Sequence, residues 1–182
     1  MATISVPTRS EVSENNQQIF DNLQKNLGFV PNLYATFAYS DTALADYLQL
    51  QNRKSSLKGK EREIINLVVS QVNECAYCLA AHTQLGKMNG FSDEQILELR
   101  TGQASFNPKF DALARFVRDI TLNRSKPSSE ALDAFFEAGY TQENLVDTLM
   151  VIGDKIISNF IHGSTQIPVD FPAAPALTTV NV

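Results

Sequence analysis

Residues 58–100 read KGKEREIINLVVSQVNECAYCLAAHTQLGKMNGFSDEQILELR. The first part carries Ile64, Leu67, Val68 and Val72 at i, i+3, i+4 and i+8, one apolar face of a helix. Its β-branched pairs also suit a strand, but the length of the run and its flanking Glu and Lys residues favour helix over 58–72. Asn73 is a break and a cap for a second helix, ECAYCLAAHTQLGKM, which stops at Asn89-Gly90. Ser92 and Gln95 then form a capping box that starts a third. Three helices follow one another with no alternating apolar segment between them, and that sets the fold class.

The flanks agree. Ser10 is placed to cap EVSENNQQIFDNLQKN, a helix with a thin stripe (Val12, Ile19, Phe20, Leu23) that stops near Gly28. Pro31 suits the first turn of a short helix through Tyr34 and Phe37. Asp41 opens another that ends near Lys54. Pro108 starts a helix with Phe110, Leu113, Phe116, Val117 and Ile120 on its apolar side. Ser128 or Ser129 caps ALDAFFEAG, which Gly139 terminates. Thr141 caps the longest helix, with Leu145, Leu149, Ile152 and Ile156 as its buried stripe. After Gly163, QIPVDFPAAPALTTVNV reads as an extended arm. The expectation is an all-α protein: a single domain over 1–182, a motif-bearing core at 58–100, a helical N-terminal extension and an arm at 164–182.

With 182 residues, 43% of them hydrophobic and 19% charged, the chain can bury a core without disulfides or metals to hold it. Fifteen basic against twenty acidic residues give a net charge of -5, and the positives do not cluster. A nucleic-acid partner is therefore not expected. No apolar run approaches ~18 residues, so no membrane span is expected. The first residues lack the basic and apolar regions of a signal peptide, which makes the cytoplasm the expected location.

The two cysteines, Cys75 and Cys78, are too close in sequence to act as a structural cross-link, so they are either small buried apolar residues beside a surface histidine or have a chemical use, redox or metal-binding. At about 100° per residue, Cys78 lies about 60° from Cys75 on a helix and His82 within about 20° of it, while Tyr77 points nearly the opposite way. Cys75, near the helix start, meets exposed amides that favour a thiolate; Cys78 has His82 one turn later. The two arguments compete, and spacing does not rank the thiols. Glu63 on an uninterrupted helix would lie about 120° from Cys75, so it joins them only if the chain breaks at Asn73 and folds back. Otherwise it is a surface glutamate, as Glu61 and Glu74 are read to be. His162, the second histidine, sits where it meets the C-terminal dipole of the long helix, with a catalytic role as the alternative. Gly153 in that helix marks close packing against a neighbour. Phe106, Phe110, Phe116, Phe135 and Phe136 read as core. No Gly-rich phosphate loop or Ser-His-Asp signature occurs, and no cofactor is expected.

Glu63, eleven intervening residues, Cys75-x-x-Cys78 and x-x-x-His82 together resemble the alkylhydroperoxidase D motif, within the wider carboxymuconolactone decarboxylase family. Gly86-Lys87-Met88-Asn89-Gly90-Phe91-Ser92 and Glu94-Gln95-Ile96 continue the resemblance. More loosely, Asn159, Phe160 and Pro168-Val169-Asp170-Phe171-Pro172 are similar to its peroxidase-related branch. The resemblance implies an alkylhydroperoxidase D-like helical fold, a trimer or hexamer, and reduction of hydroperoxides. It implies Cys78 as the peroxide-attacking thiol, Cys75 as the resolving thiol, and Glu63 and His82 as a proton relay. A relay histidine can precede the second cysteine in this family; here the residue is Tyr77. Some members take electrons from lipoyl-type dithiols, and a dithiol reductant is the expected second partner. Two other functions stand beside this one: a zinc site built from Cys75, Cys78, His82 and Glu63 or His162, and a decarboxylase or lactone-processing activity of the wider family.

Overall fold

The computed structural model describes residues 4–177, and within them the chain forms nine α-helices and no strand. A single 3₁₀ turn, Arg9–Glu11, precedes α1 (Glu14–Leu27), α2 (Asn32–Phe37) and α3 (Ala43–Gln51). Next come α4 (Gly59–Val72), α5 (Ala76–Met88), α6 (Asp93–Arg100), α7 (Pro108–Leu122), α8 (Ser129–Glu137) and α9 (Gln142–Thr165). The all-α expectation holds.

Several starts move by a residue or more, for local reasons. Ser10 lies inside the 3₁₀ turn, where the Thr8 amide donates to Glu11 Oε2 at 2.7 Å; Ser13 caps α1 instead. Pro31 is the cap of α2 and not its first residue, and α3 follows Thr42 and not Asp41. Where a side-chain cap is strongly encoded, the expectation stands. Ser92 accepts from Gln95, Ser128 from Ala131 and Thr141 from Asn144. Gly28 and Gly139 end their helices in the left-handed region.

Helix α4 is the central element, in contact with α5, α6, α7 and α9. Ile64, Ile65, Leu67 and Val68 are fully buried against Leu99, Leu113, Phe116 and Phe135, so its β-branched run faces helices on more than one side. Phe116 and Phe135 are core as expected, whereas Phe110 and Phe136 are half-buried and Phe106 is exposed at the edge of this cluster. A second apolar cluster joins Phe20, Leu33, Phe37, Leu44 and Tyr47 of α1–α3 to Tyr77 and Cys78 of α5. The N-terminal helices thus roof the cysteine segment.

The expected α9 stripe holds in part: Ile152 is buried and Leu145 and Ile156 pack against the core, but Leu149 is exposed. The buried residues of the helix are otherwise largely polar: Asp147, Thr148, Asp154, Lys155, Ser158, Asn159 and His162, with Val151. Gly153 packs against nothing, since a Cβ built there would meet no atom within 4 Å. It lies on the outer face, among the exposed Val146, Leu149, Met150, Ile157 and Phe160. The helix also runs two residues past Gly163, to Thr165, before the arm begins. Ile167 buries itself in the second cluster, Asp170 Oδ2 accepts from the Asn32 amide at 2.6 Å, and Arg100 Nη1 donates to the Pro175 carbonyl at 2.6 Å. Residues 178–182 of the expected arm lie outside the described residues. No helix among the described residues is long and apolar enough to cross a membrane.

Candidate active site

The chain between α4 and α5 turns in three residues. Asn73 closes α4, Glu74 takes a left-handed conformation (φ 52°), and the Cys75 amide donates to the Ser70 carbonyl at 2.9 Å. This reverses the chain and lays α5 back along α4. The fold-back brings together residues 19 apart in sequence: His82 Nδ1 lies 2.8 Å from Glu63 Oε2, both buried. Asn66 Nδ2 donates to the other carboxylate oxygen of Glu63 at 3.1 Å. Glu63 is therefore no surface residue. Nor is Glu61, which is buried and accepts the Lys58 amide at 2.8 Å at the start of α4; Glu74 is exposed as expected.

Cys75 is not on the helix but is its N-cap, with its Sγ accepting the Cys78 amide at 3.4 Å. Both thiols are free and buried from bulk solvent. Contact with the helix-start amide does not make Cys75 the more acidic thiol. The interaction with Cys78 and burial both hold its proton on, and together they outweigh the amide. Cys78 is driven the opposite way. The hydrogen bond from Cys75 is the largest cause, and the charges of Lys155 and His82 and the Asn159 side chain add to it against the cost of burial. The competition left open by spacing is resolved towards Cys78 as the more acidic sulfur.

Helix α9 supplies the wall that sequence reasoning missed. Ser158 Oγ lies 3.8 Å from Cys78 Sγ and donates to the Lys155 carbonyl at 2.9 Å. Asn159 Oδ1 accepts from Asn73 Nδ2 at 2.9 Å, tying α9 to the turn beside the cysteines. The available signal was the recurrence of polar residues at 147/148, 154/155, 158/159 and 162, which is helical spacing within an otherwise apolar helix.

A cavity of about 490 Å³ opens onto Cys78, His82 and Lys155. Its walls are largely apolar and include five aromatic rings, Phe29, Tyr34, Tyr47, Tyr77 and Phe171, contributed by segments distant in sequence. Tyr77 faces this cavity, and its hydroxyl accepts the Leu33 amide at 3.2 Å. Its ring meets those of Phe171 at 5.6 Å and His162 at 5.5 Å. His162 is thus buried behind Tyr77 and does not line the cavity, although its carbonyl accepts the capping amide of Gln166. Burial pushes the Tyr34 hydroxyl up to about 12 and moves Tyr47 and Tyr77 in the same direction, so all three stay neutral. On the far side of the Glu63–His82 pair lies a smaller polar cavity bordered by Gln51, Asn52, Asn66 and Asp154. Among the described residues, no three His, Cys, Asp or Glu side chains converge to hold a metal ion, so the zinc alternative finds no ligand set.

Residues 39–119, which contain Glu63, Cys75, Cys78 and His82, match the model of the carboxymuconolactone decarboxylase family. That match spans 81 of the chain's 182 residues. One relative from this comparison is the uncharacterized protein YdfG of Bacillus subtilis (strain 168), 28% identical over 107 residues, which cover 58% of this chain and 73% of that protein. Among solved structures, the alkylhydroperoxidase core of an uncharacterized peroxidase-related protein from Ralstonia eutropha JMP134 superposes with a TM-score of 0.81 at 20% identity, covering 92% of this chain and 91% of that one. The debrominase Bmp8, solved with 2,3,4-tribromopyrrole, superposes with a TM-score of 0.76 at 15% identity, covering 93% and 92%. These likenesses establish an alkylhydroperoxidase-like fold for this chain. The family match ends within α7, so the residues of α9 that border Cys78 lie outside it.

Proposed function

We propose that the protein is a thiol-dependent peroxidase that reduces organic hydroperoxides. The observation that carries this reading is Cys78, the more acidic of two adjacent free thiols, placed on an apolar cavity in front of the Glu63–His82 pair. The Cys78 thiolate attacks the terminal oxygen of the hydroperoxide, the O–O bond breaks, and Cys78 becomes a sulfenic acid. The departing alkoxide takes a proton relayed through His82, which Glu63 orients, and leaves as the alcohol. Cys75 then attacks the Cys78 sulfur, closing a disulfide and releasing water. An external dithiol restores both thiols by exchange.

Trapping with dimedone tests the division of labour. Cys78→Ser should abolish peroxide consumption, and Cys75→Ser should accumulate labelled sulfenic acid on Cys78, because no resolving thiol remains. Label on Cys75 in the Cys78→Ser protein, with none on Cys78 in the reciprocal variant, would reverse the assignment.

The size and aromatic walls of the cavity support a second reading, reductive removal of halogen from a small aromatic ring. There the thiol pair would supply two electrons, and halide would leave as the ring gains hydrogen. Release of bromide from 2,3,4-tribromopyrrole in excess of hydroperoxide turnover would favour it. We further propose self-association, as a trimer or hexamer, through the exposed apolar face of α9 (Val146, Leu149, Met150, Ile157, Phe160). Light scattering that showed a stable monomer would refute that.

A further inference from the structure

Lys155 is 2% exposed, and its side chain lines the cavity beside Cys78 and His82. Among the described residues no carboxylate oxygen lies within 4.0 Å of its ammonium, and its side chain makes no hydrogen bond. An ammonium facing a confined, largely apolar cavity with no carboxylate in contact is unfavourable, and Met or Leu of similar volume would pack there without that cost. One turn along α9, Ser158 donates to the Lys155 carbonyl at 2.9 Å and sits 3.8 Å from Cys78 Sγ, which fixes this part of the helix against the thiol.

We propose that Lys155 is a positioning residue whose ammonium is the standing counter-ion of the Cys78 thiolate. The assignment rests on Cys78 being the reactive thiol of the proposed function. The other titratable groups around Cys78 do not replace it. Cys75 keeps its proton, and Tyr34, Tyr47 and Tyr77 are neutral hydroxyls. His82 is committed through Nδ1 to Glu63 at 2.8 Å, and Asp154, the neighbour of Lys155 on α9, has no positive charge to offer. The charge of Lys155 contributes to the acidity of both Cys78 and Glu63, the two acids that share the site. When Cys78 is oxidised to a neutral sulfenic acid, the ammonium is released to face the alkoxide formed by O–O cleavage, so one fixed charge serves both ends of the step.

The test is a pH titration of thiolate ultraviolet absorbance in the Cys75→Ser protein, where Cys78 is the only thiol, compared with Lys155→Met and Lys155→Arg in the same background. Removing the charge should raise the Cys78 midpoint by about one pH unit or more. Alkylation by iodoacetamide below that midpoint should slow roughly tenfold. Lys155→Arg should restore most of the shift. A merely structural role would lower the melting temperature and leave the midpoint in place. An unmoved midpoint in folded Lys155→Met overturns the proposal. Should that variant aggregate, Lys155→Gln carries the same expectation and the same refutation. Because the titration needs no peroxide, a Lys155-dependent midpoint in a protein that consumes no hydroperoxide would sink the peroxidase reading alone. Peroxide turnover with an unmoved midpoint would sink the Lys155 assignment alone.

Discussion

Replacing Glu63 with Gln keeps the shape of the side chain and removes its charge, and the surroundings set the size of the effect. In the native protein a carboxylate oxygen accepts from His82 Nδ1 at 2.8 Å in a buried site. A hydrogen bond to a charged group contributes ~1.5–3 kcal/mol, against about 1 kcal/mol for a neutral pair. The expected loss at neutral pH is therefore about 1–2 kcal/mol. For a chain of this size that corresponds to a fall of roughly 2–8 °C in melting temperature. Burial alone would raise the pKa of Glu63, but the charge and hydrogen bond of His82, with Lys155 and Asn66, hold it below the usual carboxylate value of 4.5. A depressed carboxylate contributes stability that is fully present above its unfolded pKa and lost as pH falls through the lower folded value. The gap between wild type and Glu63→Gln should thus persist from neutral pH down to the usual carboxylate range and close only as pH falls below it. Melting followed by circular dichroism across that range measures it. A gap that is absent at neutral pH, or that is the same at both ends, would show that Glu63 is not an ionised partner of His82. Loss of the oriented histidine should also slow hydroperoxide turnover by roughly ten- to a hundredfold.

Other perturbations have equally definite expectations. Gly102→Ala combines a left-handed φ of 82° with a Cβ placed 3.0 Å from Arg118 Cβ, so it should cost about 2–3 kcal/mol. Gly28→Ala, at φ 85° with nothing within 4 Å, should cost only about 1 kcal/mol, and urea denaturation of the pair checks the contrast. Phe135→Ala removes a fully buried ring stacked on Tyr140 at 4.5 Å and packed on Phe116 at 4.8 Å, with an expected loss of about 3–5 kcal/mol in the same assay. Phe171→Ala opens the cavity wall on the arm; it should raise KM for an aromatic hydroperoxide several-fold and leave the thiolate titration of Cys78 in place.

Elements with strong local encoding were readable from sequence, and those decided by tertiary contact were not. The Ser92–Gln95 box and the Ser128 and Thr141 caps each satisfy a helix start with a side chain three residues away, so the signal lies in neighbouring letters. The Cys75, Cys78 and His82 constellation was legible for the same reason. Glu63 needed the reversal at Asn73–Cys75, which spacing required but could not prove. Hydropathy finds the part of α9 that packs on the core, Leu145, Ile152 and Ile156, but gives no sign of the polar face beside it and wrongly adds Leu149. In the structure α9 turns Lys155, Ser158 and Asn159 towards the site and leaves Leu149 on the outer face. Aromatic cavity walls drawn from α2, α3, α5 and the arm have no local signature at all.

The cap at the start of α5 has a consequence for the timing of events after oxidation. Cys75 Sγ is the acceptor for the Cys78 amide, so the sulfur that closes the helix end is also the one given the resolving role in the proposed cycle. A disulfide sulfur is a poorer acceptor than a thiol sulfur under thiolate influence, and rotating Sγ towards its partner draws it off the amide. Each turnover would therefore uncap and recap the first turn of α5. The exchange rate of a single backbone hydrogen, that of Cys78, becomes a clock for the redox cycle: slow while the thiols are reduced, and faster once the bond has closed.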